Sequence, residues 1–261
     1  MRKILLGINT LTAVAQQAYV NHMTLAYELG RRYKNFDFGI CAPPRMAIDN
    51  MRNFCAKVAI ERKFEYIWFI DDDVLVEDPA GSLQTLIDLD ADVAAGITLI
   101  RTYPYAPMLF SFAKGRKSPY LYNYQKLWDK DKVLRSPTLG AVGFSCCLLK
   151  VSTLKQVEPP WFLTGPNFTE DVFYCQRAAA FKKDLTVAAS GKVMTHHILG
   201  NQTISPSNRA AMMNFDESLG LKRVPIRKKK QTKTDVVLAT ARGTILAGMY
   251  EPREPKETKA S

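Results

Sequence analysis

Apolar and polar positions alternate along this chain in two rhythms. Lys3–Ile8 is a short apolar run ending in Gly7, Asn9 and Thr10, and reads as a first strand. Val14–Tyr33 follows with Val14, Ala18, Leu25 and Leu29 at helical spacing and the basic pair Arg31-Arg32 at its end. Phe36–Cys41 predicts a second strand, stopped by Pro43-Pro44, and Ala47–Arg62 a second helix. Tyr66–Ile70 predicts a third strand, Leu83–Leu89 a helix and Val93–Ile97 a fourth strand. After Thr102–Ser136, rich in Tyr, Pro and Lys and poor in periodicity, apolar order returns at Leu139–Val151. A helix is expected from about Asp171 to Phe181 and a strand at Leu185–Ala189. Strand alternating with helix predicts an α/β fold, a mainly parallel central sheet flanked by helices.

The pattern stops near Leu219–Leu221, giving a domain over 1–220, with 102–136 as an insertion or lid, and a basic tail over 221–261. Val236–Met249 is expected to pack back as a short element. The full chain has 261 residues and a net charge of +11. Leu221–Ser261 holds 11 basic and 4 acidic residues, centred on Arg227-Lys228-Lys229-Lys230, so most of the excess lies there. Such a run suits an anionic surface, a nucleic acid or simple solvation. With 47% hydrophobic residues the chain is not disordered, and its longest near-apolar run, Leu139–Leu149, is too short to cross a bilayer. MRKILLGINT reads as a first strand rather than a signal peptide. Five cysteines without a C-x-x-C pair suggest reduced thiols in a cytoplasmic protein, able to sit peripherally at a membrane face.

The candidate chemistry begins at Asp71-Asp72-Asp73, directly after the apolar strand Tyr66–Ile70. A run this apolar reads as a strand buried on both faces, and ligands of open α/β sheets bind beyond the carboxyl ends of such strands. Three neighbouring carboxylates repel one another unless a cation offsets them. On an extended backbone Asp71 and Asp73 point the same way and can share a divalent ion, Mg²⁺ or Mn²⁺, holding a diphosphate. An acidic solvent loop is the plainer reading. Glu170 and Asp171 open a helix, where capping alone would account for them, or a base facing a metal–diphosphate site. His196 and His197 follow a strand-like Lys192–Thr195, and alternation aims one of them at the site. Arg52, inside the second helix, suits a phosphate or nucleotide carbonyl but is equally an ordinary helical arginine. Gly140 and Gly143 permit close backbone approach to a ligand, or simply tight packing.

In this order, Arg52-Asn53, FIDDDV, GAVGFSCCLLK, PPWF…TEDVFYC and a late His, the chain resembles the GT-A-fold nucleotide-sugar glycosyltransferases of the large family-2 type over about residues 3–200. The resemblance implies a D-x-D pair at Asp71 and Asp73, with Asp73 the direct metal ligand and Asp72 at the variable middle position. It places Asn9, Thr10 and Arg52, with the D-x-D residues, at the nucleotide. Asp171 becomes the catalytic base, beside Glu170, and His197 or His196 completes the metal site. Gly140, Gly143 and Phe144 line the sugar pocket, and Trp161 stacks on an acceptor. The implied reaction moves a sugar from a nucleoside-diphosphate sugar, UDP being the commonest, to a hydroxyl of a glycan, lipid or protein, with Mn²⁺ or Mg²⁺ and, on the simplest course, inversion. Departures from the pattern are the offset Gly200 after the histidines and the basic tail. Rival readings are a sugar nucleotidyltransferase, which lacks its Gly-rich loop here, a metal-dependent nuclease, and a non-catalytic binder of nucleic acid or a surface.

Overall fold

The apolar run before the aspartates stands inside the sheet, because its residues have little to present to water. In the computed structural model β3 (Tyr66–Asp71) sends Ile67 and Phe69 into one core and Trp68 and Ile70 into the other, all at most 1% exposed. The structure describes residues 1–10, 14–112, 121–123, 131–166 and 168–219. The basic tail, the element expected at Val236–Met249 and Tyr120 and Tyr124 of the insertion lie outside them.

Beside β3 runs β1 (Arg2–Asn9), parallel to it and to β2 (Phe36–Cys41). On the other side β10 (Cys146–Lys150) pairs antiparallel with both β3 and β5 (Val93–Ile97). β11 (Val187–Leu199) lies parallel to β5, and β12 (Gln202–Ile204) folds back against its end. The order is therefore β2-β1-β3-β10-β5-β11-β12, mainly parallel with β10 reversed at its centre. The apolar segment after residue 139 thus returns through the core instead of adding another parallel strand.

Helices cover both faces. α1 (Gln16–Arg32) and α3 (Pro79–Asp88) bury Leu25, Leu29, Leu83 and Leu86 on the Trp68 side. α2 (Ile48–Glu61), α4 (Val151–Leu154) and α5 (Glu170–Phe181) cover the Phe69 side, where Phe69, Phe144, Phe162 and Tyr174 form a packed aromatic cluster. Rings of this size dominate a core; removing one costs about 3–5 kcal/mol.

The described residues of the expected insertion include short strands. β6 (Leu109–Phe112) pairs with β7 (Leu121–Asn123) and β9 (Ala141–Val142), while β8 (Val133–Arg135) joins β11. These strands of two to four residues are too short for periodicity to reveal. Its entry is pinned by α6 (Arg209–Ser218): Arg209 donates to the carbonyls of Tyr105 and Pro104 at 2.7 and 2.8 Å, and Tyr103 donates to Glu217 at 2.7 Å. Tyr105 donates a short bond to Asp216, and burial with that carboxylate pushes its phenol up to about 12. No described helix is long and apolar enough to cross a membrane.

Candidate active site

The carboxyl ends of β1, β3 and β5 bring together residues that are far apart in sequence. β3 stops at Asp71, and Asp72-Asp73 form the turn into β4 (Val74–Val76). The three aspartates are therefore not one extended run, and Asp71 and Asp73 meet different partners. β4 is held from behind by Asn21 of α1, whose side chain makes two 3.0 Å bonds to the Val76 backbone.

β11 reaches this turn because it bends. Its register against β5 shifts between Ser190 and Met194, and a Cβ on Gly96 would stand 2.7 Å from Val193. Glycine lets the bulged strand close onto β5 there. Beyond the bulge β11 pairs with β4, setting His197 opposite Val74, and Ile198 donates its N–H to the Asp73 carbonyl at 2.8 Å. His197 stands 3.3 Å from Asp73 Oδ2 through Nε2. His196, one position earlier, turns the other way and meets Glu77 at 2.6 Å. Alternation selects His197, and His196 does not join Asp73.

His197 Nδ1 lies 2.7 Å from the Leu99 carbonyl, which only accepts, so Nδ1 carries the proton. In the neutral ring Nε2 then offers a lone pair to a carboxylate oxygen. In that form the two acceptors leave room for a cation to bridge them, whereas a protonated ring donates to Asp73 directly. Burial works to raise the Asp73 pKa, but His197 and Arg101 outweigh it and hold the acid below its usual range. Among the described residues, no three His, Cys, Asp or Glu side chains already stand as a metal cluster. One imidazole with a fixed tautomer and one carboxylate nevertheless make a donor set that fits a hard divalent ion with open positions.

Arg52 is the hub behind this edge. It is 2% exposed, donates to Glu170 at 3.0 Å, to the Phe144 carbonyl at 3.1 Å and to Asp71 at 3.1 and 3.4 Å, and lies over the Phe69 and Phe144 rings. Burial raises the Asp71 pKa, with Arg52 pulling against it. The arginine expected at the nucleotide is thus committed to the protein, because a buried guanidinium must satisfy its fork internally. Glu170 is likewise tied to Arg52, which makes it a positioning group. Asp171, 3% exposed, differs: the Thr169 hydroxyl and the Val172 N–H, at 2.7 Å, both go to Oδ1. Burial first, then the Glu170 charge, push its pKa up to about 6.

Asn9, 1% exposed at the end of β1, pairs in register with Asp71, and neither of its side-chain polar atoms makes a well-formed hydrogen bond. A buried amide left so is a group awaiting a partner. Thr10 and Asp72 stand half-exposed at the same edge.

The expected sugar and acceptor pocket needs correction. Phe144 is fully buried among Phe69, Phe162 and Tyr174. A Cβ on Gly143 would stand 2.6 Å from Met108, so packing accounts for that glycine, and Gly140 is buried with its N–H on the Phe110 carbonyl at 2.8 Å. Trp161 donates its indole N–H to the Leu154 and Val157 carbonyls and packs on the core. These four residues build the fold under the site. Arg101, which bonds Asp73 at 2.8 Å, carried no sequence signal, because nothing in its neighbourhood marks it from other surface arginines.

No protein-family model and no curated protein sequence matches the chain. Solved structures do. A197 from STIV aligns with a TM-score of 0.55 at 16% identity, over 79% of this chain and 91% of that one. The match is one of fold. S. aureus TarS gives a TM-score of 0.36 at 12% identity, over 73% of this chain and 36% of its own. A glycosyltransferase involved in glycosylation of the major capsid of PBCV-1 gives 0.34 at 13% identity, over 70% and 76%.

Proposed function

We propose that the chain is a metal-dependent glycosyltransferase that moves a sugar from a nucleoside-diphosphate sugar, UDP favoured, to a hydroxyl acceptor. The observation that carries the reading is the pairing of two unfinished groups at one sheet edge. His197 and Asp73 face each other at 3.3 Å, and Asp171, next in the chain to the Glu170 that Arg52 holds, has its pKa raised into the working range of a base.

Asp73 and His197 are the residues that would hold the ion. When bound there it supplies positive charge to the leaving diphosphate. Asn9 and Thr10 border the place for the base and ribose. Asp171 takes the proton of the acceptor hydroxyl on Oδ2, the oxygen its hydrogen bonds leave open, as that hydroxyl attacks the anomeric carbon from the side opposite the leaving group. The course is inverting. Arg52 holds Asp71 and Glu170 in place through its hydrogen bonds, and Asp171 is the acid whose proton moves. The basic tail is read as a contact for an anionic surface, and the acceptor as a glycan, lipid or protein hydroxyl.

The test is release of nucleoside diphosphate from UDP-sugars offered with a panel of hydroxyl acceptors, for wild type and Asp171→Asn. Acceptor-dependent release that falls at least about 10²-fold in the mutant supports the assignment, and near-normal turnover removes Asp171 from the role.

A further inference from the structure

Resting on the reading above, we infer that Arg101 is an exchangeable counter-ion of the donor site: it holds Asp73 while the site is empty and passes to the donor's diphosphate when a divalent ion takes its place.

Three observations meet in this residue. Its guanidinium donates to Asp73 Oδ2 at 2.8 Å, the same oxygen that faces His197 Nε2 at 3.3 Å. A divalent ion between that oxygen and that nitrogen would lie against the guanidinium. Two cations on one carboxylate oxygen repel, so Arg101 and the ion compete for Asp73. The Arg101 side chain is 57% exposed, and Asp73 is its sole ion-pair partner among the described residues. It gives up little by leaving, in contrast to Arg52, which is 2% exposed and bonded on every side.

The backbone beneath Arg101 is held at several points, while its side chain has, among the described residues, the one ion pair with Asp73. Ile100 donates to the Ala106 carbonyl at 2.9 Å, Leu99 bridges to Pro107, and Arg209 clasps the loop at Pro104 and Tyr105. Leu99 in turn orients His197, two residues before Arg101 in the same loop. A long cationic arm on a rigid base beside the metal donors is suited to a diphosphate, which guanidinium meets with two parallel bonds. An arginine in this position neutralises Asp73 before loading and the leaving group after it.

The experiment is titration calorimetry of the full chain with Mn²⁺ alone and with inorganic pyrophosphate in saturating Mn²⁺. Wild type, Arg101→Ala, Arg101→Lys and Asp73→Asn are compared, with thermal midpoints as a folding control. The two affinities are expected to move in opposite directions. Arg101→Ala binds Mn²⁺ alone about 5-fold tighter, having lost the competitor, and pyrophosphate about 10-fold weaker. Arg101→Lys recovers part of both changes. Wild-type binding of both probes, with Arg101→Ala unchanged or shifted the same way in each, overturns the exchange and leaves the transferase reading standing. Absence of Mn²⁺ binding in wild type overturns the metal site and the exchange together.

Discussion

Asp92 and Asp171 are both buried acids at the ends of regular elements, and the protein treats them in opposite ways. Asp92, just before β5, accepts from Thr153 at 2.7 Å, from Lys182 at 2.7 and 2.8 Å, and from the Thr186 N–H and hydroxyl at 2.9 Å. Burial would raise its pKa, but these donors outweigh it and hold it at about 2. Asp171 receives two bonds on one oxygen and sits beside Glu170, and its pKa goes up to about 6. The first acid is finished by its surroundings and closes the amino edge of β5 against α4, α5 and β11. The second is left incomplete at the edge where ligands of such sheets bind. Incomplete satisfaction of a buried group is the mark that separates a working carboxylate from a structural one.

The largest effect should come from breaking the hub that supports the working edge. Arg52→Met leaves Asp71 and Glu170 without their buried cation and should destabilise by about 3–5 kcal/mol, read from denaturant unfolding. A loss under about 1 kcal/mol would mean that the two acids find other partners. Asp171→Asn should follow, with turnover lower by about 10² or more while stability at neutral pH is not lowered.

Next in size, Asp92→Asn should lose about 2 kcal/mol at neutral pH. The sign follows from its depressed folded pKa: the contribution is present above the unfolded value near 4 and disappears as pH falls towards 2. Wild type should therefore lose stability over that window and the mutant should lose less. Asp171 acts the other way. Its raised folded pKa favours the protonated form, so it costs stability as pH rises from about 4 through 6, a cost that Asp171→Asn should relieve. The same ionisation predicts that kcat/KM climbs as pH rises through about 6 and then levels, and a flat profile there would detach Asp171 from the rate. Smallest is His196→Gln, which removes only the half-exposed contact with Glu77 and should leave both stability and Mn²⁺ binding within error.

Much of this architecture was legible from periodicity. Phe36–Cys41 and Val93–Ile97 form strands at the positions the pattern indicates, and the helices over Ala47–Arg62 and Asp171–Phe181 lie within two residues of their expected bounds. Long amphipathic segments and doubly buried strands signal themselves. The short strands β4, β6, β8 and β9 do not, since two to four residues carry no period, and β11 hid its length behind the bulge at Ser190–Met194. At the site, strand alternation singled out one histidine of the pair, and the fold supplied which. Arg52 was misplaced because a single arginine in a helix looks the same whether it faces solvent or three buried acceptors. Asp92 and Arg101 went unnoticed for the related reason that their partners, Lys182 and Asp73, are distant in sequence and met only through the sheet.

The central claim is that Asp73 and His197 form the metal end of a nucleotide-sugar site. Its most direct measurement is calorimetric binding of UDP, GDP and a CMP control, each with Mn²⁺ and with chelator, to wild type and to Asp73→Ala. The account predicts that one nucleoside diphosphate binds in the presence of Mn²⁺ and that chelator or the mutation abolishes it. A folded wild-type protein that binds none of the three nucleotides under either condition would contradict it.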